Sequence, residues 1–267
     1  MSIFGNKRNS AKHDEAEMSF LDHFDVLRKH LFRVALIVCI FTIIVFTQKS
    51  FVFDTIIFGP LNKDFVTYRF FCGLSEITCF DPGQIRPITR ELSEQLTVHL
   101  KISFFIALIL AFPFILNEIW KFIKPGLYDK EIKATKGMII STTLLFYFGS
   151  LFGYFIIAPL SICFLASYNV SDRVENTATL TSLVDSMTMY SMSTGLVFEL
   201  PILVYFLSKL GIMGPEFMRT YRRHAIVVIA IIAALITPPD VTSMMLVMFP
   251  LLGLYEASIF IAKRHYK

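Results

Sequence analysis

A chain of 267 residues with 55% hydrophobic residues, 28 Phe and only 17% charged residues is too poor in charge for an ordinary soluble domain. Its mean hydropathy of +0.62 places the excess apolar surface against lipid. The net charge of +4 is modest and the basic residues flank apolar runs, which excludes a nucleic-acid surface. There is no phosphate loop, no metal-spaced His/Cys set and no nucleophile elbow, so neither an enzyme nor a cofactor is expected.

Met1–Glu17 is polar and is expected to be a disordered tail. The first thirty residues have no apolar h-region or small-residue cleavage site, so targeting is expected from the first span. From Met18 to His30, apolar residues recur at Phe20, Phe24 and Leu27, and then at Leu31, with Asp22, Asp25, Arg28 and Lys29 around them. That spacing predicts an amphipathic helix at the membrane surface running into span one, 31–48, with Asp25 and Arg28 within pairing reach. An outer loop over 49–97 follows. It holds Pro60, Pro82, Gly83 and Pro87, and its 51–58 and 65–71 stretches suit short amphipathic helices or strands. Cys72 and Cys79 in this loop fit a disulfide if the loop faces an oxidising compartment, or two inert thiols otherwise.

Span two is expected over 98–116, followed by a polar stretch, 117–137, with five lysines. Span three, 138–165, is long enough to be tilted or broken at Pro159. A second outer loop covers 166–186, and span four covers 187–208. That span contains one formal charge, Glu199, followed by Pro201. A carboxylate in the apolar slab should face protein or a water-filled cavity, or hold a proton, and the proline should kink the helix beside it. Thr194, Ser191 and Tyr205 are its candidate buried partners.

Ala225–Ile236 is apolar for only twelve residues and is stopped by Thr237, Pro238, Pro239 and Asp240. The last apolar run is 244–262. Charge decides whether the short run is a span. With six spans and both ends inside, the inner segments hold seventeen Lys and Arg against six in the outer segments. That obeys the positive-inside rule. Leaving out the short span would put the Arg219–Arg223 cluster and Lys263–Lys267 on opposite sides. The expectation is therefore one all-α membrane domain, 18–267, with six spans, both termini cytoplasmic, and spans five and six short and joined by a tight outer turn.

Four passages, in this order and between these spans, resemble the TatC family, the multi-spanning receptor component of the twin-arginine protein translocase. They are FLDHFDVLRKHL at Phe20–Leu31, NEIWKFIKPGLYDKE at Asn117–Glu131, FELP at Phe198–Pro201, and LITPPD at Leu235–Asp240. The resemblance covers about Ser19 to Ala262. It implies six tilted helices in a concave, glove-like bundle in the bacterial cytoplasmic membrane. It further implies binding of twin-arginine signal peptides of folded cargo, docking of TatA-type and TatB-type single-span subunits, and energy from the proton-motive force.

Residue by residue, Glu131 matches the family acid that meets the arginine pair, with Trp120, Phe122, Pro125 and Leu127 shaping the platform beside it. A guanidinium pair wants carboxylates in a partly dry setting, so the chemistry agrees. Arg28 matches the family's N-terminal arginine. The family's acid before Leu-Arg is Val26 here, and the acid sits one residue earlier, at Asp25. One residue rotates a helical position by about 100°, so Asp25 is not a simple replacement. Glu199 matches the acid on the concave side, and Pro60, Pro238, Pro239 and Asp240 match outer-side caps. Self-association is left open. The rival class is a small secondary transporter or ion channel built on a buried Glu199, opposed by the lack of an internal repeat.

Overall fold

The computed structural model describes residues 20–74, 85–124, 137–168, 171, 177–209, 213–237 and 241–265. Among them every extended element is helical, apart from one isolated parallel bridge between Ile88 and Thr179. Five helices are long and apolar enough to cross a membrane: Phe24–Thr47, Glu94–Ile123, Met138–Ser167, Leu180–Ser208 and Ser243–Phe260. The chain is an all-α, multi-spanning membrane protein.

Helix α1, Phe20–Thr47, is continuous. The amphipathic start and the first span are one rod of 28 residues, about 42 Å long. Its outward residues are apolar, with Leu31, Phe32, Ile43 and Ile44 all exposed. That is the pattern of a helix whose solvent is lipid. Asp25 and Arg28 are both exposed and do not pair. A π-helical turn, Phe51–Ile57, and a single 3-10 turn, Gly59–Leu61, lead to α2, Val66–Leu74. The 51–58 stretch is therefore helical, not a strand. Pro60 is buried in the 3-10 turn, where its carbonyl accepts from the Tyr68 hydroxyl at 2.8 Å. The same hydroxyl reaches the Pro159 carbonyl at 3.2 Å and so ties this corner to the third span. Burial, aided by Cys163, pushes the Tyr68 phenol well above its usual range, so it stays a neutral donor. Cys72 is disulfide-bonded, and Cys39 and Cys163 are not. Cys79 lies outside the described residues.

Helix α3, Glu94–Ile123, is longer at both ends than the apolar run suggests. Thirty residues span about 45 Å, against about 30 Å of hydrocarbon. The expected polar loop from 117 thus begins as helix, and Trp120 and Phe122 ride on its last turns. The third span is α4, Met138–Phe152, a π-helical turn, Gly153–Ile157, and α5, Ala158–Ser167. Pro159 does not break it, because it sits in the first turn of α5, where its missing N–H is not needed.

Two corrections concern the fourth span. It starts at Leu180, not at 187, because Thr179 is an N-cap whose hydroxyl accepts from the Ser182 amide at 3.2 Å. The loop expected over 166–186 is shortened accordingly. The span is also two helices, α6, Leu180–Val197, and α7, Leu200–Lys209, with the break at Phe198 and Glu199. A short α8, Pro215–Thr220, precedes α9, Arg222–Ile236, and α10, Val241–His265. Helix α9 has 15 residues, about 22 Å. Pro238, Pro239 and Asp240 lie outside the described residues.

The chain's first helix packs most extensively on α3, α4 on α6, and α7 on α10. Small residues allow the closest approach, between the third span and α6. A Cβ on Gly153 would lie 2.5 Å from the Tyr190 carbonyl oxygen, and one on Gly149 would lie 2.7 Å from the Phe198 side chain. We call the end of the bundle that holds the start of α1 the near end, and the opposite one the far end.

Candidate functional site

The near end is built where α1 and α3 run antiparallel. Glu118 of α3 is buried and accepts from His30 Nδ1 at 2.7 Å and from Lys121 Nζ at 2.6 Å. Arg33 Nη1 stands at 3.5 Å from the same carboxylate. A buried carboxylate needs such donors, and the His30 imidazole and the Lys121 ammonium supply them, with the Arg33 guanidinium close by. The His30 ring also meets Phe122 edge-on, at 6.2 Å between centroids. Phe122, expected in the platform, is thereby fixed by α1.

Trp120 lies on the other side of α3. It lines a groove of about 390 Å³ between α3, α4 and α7, whose walls are Phe112, Leu116, Ile139, Ile202 and Phe206 among others. Glu199 lines the same groove. The structure thus joins two residues that the sequence placed in separate sites, the platform tryptophan and the intramembrane acid. Glu199 is half-buried, and its Oε1 is buried with no hydrogen-bond partner. It is the one ionisable group among the described residues lining the groove.

The break that carries Glu199 has local causes. Pro201 cannot donate an amide back into α6, and it falls in the first turn of α7, where none is required. The Phe198 side chain is wedged against Gly149 and tilts on Phe148 and Phe152. Thr194 is fully buried, but its hydroxyl donates to the Tyr190 carbonyl at 2.6 Å, one turn back, and not to Glu199. It shapes the helix and is not the acid's partner.

Of the expected site residues, Trp120 and Glu199 are brought together, with Pro201 beside the acid. Asp25 and Arg28 sit at the near end on exposed turns of α1. Glu131, Pro125 and Leu127 lie outside the described residues. Sequence reasoning missed Glu118 and His30. A Glu three residues before a Lys at the end of a span was the available signal, since on a helix that spacing makes a pair. The partner on α1 left no signal.

A family model described as Sec-independent protein translocase protein (TatC) matches residues 22–250. The chain belongs to the TatC family. It is 38% identical over 259 residues to TatC of Blattabacterium sp. subsp. Periplaneta americana, covering 94% of this chain and 97% of that relative. TatCy of Bacillus subtilis is 34% identical over 251 residues, covering 94% and 91%. A crystal structure described as twin arginine translocase receptor TatC matches with a TM-score of 0.70 at 31% identity, covering 92% of this chain and all of that one. TatC-family membership gives the chain a general role in twin-arginine translocation and a multi-pass location in the bacterial inner membrane. TatC-family proteins are non-catalytic translocase components, so the chain is not an enzyme.

Proposed function

We propose that this chain is the receptor subunit of a twin-arginine translocase. It binds the signal peptides of folded precursors at the near end and gathers TatA-type and TatB-type single-span subunits around itself. The groove between Trp120 and Glu199 carries this reading. It is apolar along its walls, has an aromatic residue toward the near end, and holds a single acid deeper in the bundle. An apolar peptide segment can place a few side chains there, while its arginine pair stays at the near end with Glu131 and Asp25. Arg28, Pro125, Leu127 and Phe122 complete that platform.

In this reading α9 is a sixth span, both termini and the near end are cytoplasmic, and the bundle is concave. The excess of Lys and Arg in the inner segments supports the orientation. A 15-residue span fits where the bilayer is locally thinned. Pro60, Pro238, Pro239 and Asp240 then cap the outer side, and energy comes from the proton-motive force.

Binding of a twin-arginine peptide to the purified protein, against a twin-lysine control, tests this. Lysine keeps the charge and loses the bidentate fork. Arginine-selective binding that is lost in Glu131→Ala and weakened in Trp120→Ala is the expected result. Equal affinity for both peptides would refute the receptor reading. The unsatisfied Oε1 of Glu199 favours one rival, a small transporter or channel, and that rival requires ion flux by the protein alone in liposomes.

A further inference from the structure

A second cavity, of about 560 Å³, lies at the far end, where α1 ends and α3 begins. Its polar lining includes Lys49, Asp54, Gln95 and His99. His99 is 7% exposed and held rigidly. Its ring stacks on Phe46 at 4.0 Å and meets Phe53 edge-on at 5.4 Å. Its Nε2 is buried with no partner, and in the tautomer that carries the proton on Nδ1 this nitrogen is an acceptor. A buried acceptor without a donor calls for an occupant. Lys49 and Asp54 are both exposed, and neither is ion-paired within the described residues. The cavity therefore offers one cation, one anion and one neutral acceptor.

Its flank is apolar and faces lipid. Leu96 lines the cavity, and Leu100 and Phe104 continue from it at successive turns of α3, exposed by 59%, 51% and 44%. A polar pocket that runs into an exposed apolar stripe toward the bilayer centre has the shape of a lipid site, a headgroup above and an acyl chain below. A soluble ligand would leave that stripe unused.

We propose that this far-end cavity binds a membrane phospholipid whose headgroup carries a phosphate and a primary ammonium, that is, phosphatidylethanolamine. Lys49 meets the phosphate. The ammonium donates to Asp54 and to Nε2 of His99. The acyl chain lies along Leu96, Leu100 and Phe104. This site is separate from the groove between Trp120 and Glu199 and stands whether or not that groove receives a signal peptide.

The test is lipid retention by the full-length detergent-purified protein, read by native mass spectrometry, with phosphatidylethanolamine, phosphatidylcholine and phosphatidylglycerol. Choline keeps the positive charge but has no N–H, and glycerol has no ammonium. Phosphatidylethanolamine should be retained about tenfold over both, the worth of a hydrogen bond to a charged group. Asp54→Asn and His99→Phe should each erase most of that preference, and His99→Phe keeps the stack on Phe46. Asp54 is exposed, so its variant folds whatever the packing around His99 requires. Lys49→Gln should weaken all three lipids alike. Equal retention of the three lipids by the wild type would overturn the proposal, as would a preference that survives both substitutions. Displacement of the lipid by equimolar soluble phosphoethanolamine would overturn the acyl-chain half of it.

Discussion

Glu118 and His30 close the near end of the bundle. Their side chains meet at 2.7 Å although one lies on α3 and the other on α1. Lys121 and Arg33 join the same carboxylate from more exposed positions, where ion pairs contribute little. The buried hydrogen bond to His30 is therefore the part that matters for stability. Glu118→Ala should cost about 1–3 kcal/mol, the range for losing a hydrogen bond to a charged group and leaving its partner unsatisfied. In a chain of this size that lowers the melting midpoint by about 2–4 °C per kcal/mol. His30→Ala should do the same, and the double variant should be no worse than either single one. Additive losses in a thermal melt would show that the two residues act independently.

Glu199 is expected to behave in the opposite way. Its Oε1 has no partner, and no ion pair holds the group among the described residues. Replacing a half-buried acid that lacks an ion-pair partner by its isosteric amide should be neutral or stabilising. Glu199→Gln should leave the melting midpoint unchanged or raise it, while export of a twin-arginine cargo falls about tenfold if the charge meets a polar group of peptide or partner. A lower midpoint would mean that the acid is structural, and full export would remove it from the proposed groove.

These two acids show what the sequence made legible. Glu199 announced itself because a charge within an apolar run is costly, and its helix break followed from Pro201. The apolar runs also located five of the six expected spans, since hydrocarbon thickness sets their length. Their ends were less legible. Polar residues such as Asn117, Glu118 and Lys121 read as loop, yet α3 carries them as continuous helix, past Pro113, to Ile123. Ser- and Thr-rich residues 180–186 also read as loop, and Thr179 caps them into α6. Pairings across the bundle, such as His30 with Glu118 or Tyr68 with Pro60 and Pro159, leave no periodicity to find. The same holds for the groove, because the meeting of Trp120 and Glu199 is decided by how α3, α4 and α7 pack.

The glycines of the bundle should separate cleanly by position. An alanine at Gly153 would bring its Cβ to 2.5 Å from the Tyr190 carbonyl oxygen, and backbone cannot yield as a flexible side chain can. Gly153→Ala should cost about 1–3 kcal/mol, the range for overpacking. Gly253, inside α10, meets nothing within 4 Å. Gly253→Ala should stabilise by about 0.5–1 kcal/mol, the difference in helix propensity. Chemical or thermal denaturation of the two variants side by side tests the pair. A tolerated Gly153→Ala would mean that the third span and α6 are not held in this close contact.

At the far end, one carboxylate joins the start of α6 to the turn that precedes α3. Glu94 Oε2 accepts from the Arg90 amide at 2.6 Å, ahead of its own helix. Its Oε1 accepts from the Thr181 amide at 3.1 Å and the Thr181 hydroxyl at 2.7 Å, in the first turn of α6. The amides at a helix N-terminus have no partner within the helix, so a carboxylate there satisfies them and complements the helix dipole. Glu94→Ala should release both ends together. Hydrogen exchange at the Thr181 and Arg90 amides should accelerate, with amides of the α3 interior unaffected. Thr181→Val keeps the shape and the backbone donor, and should produce the smaller effect. If Glu94→Ala left the Thr181 amide as protected as before, the parallel bridge between Ile88 and Thr179 would be what anchors the start of α6 to the 85–96 segment.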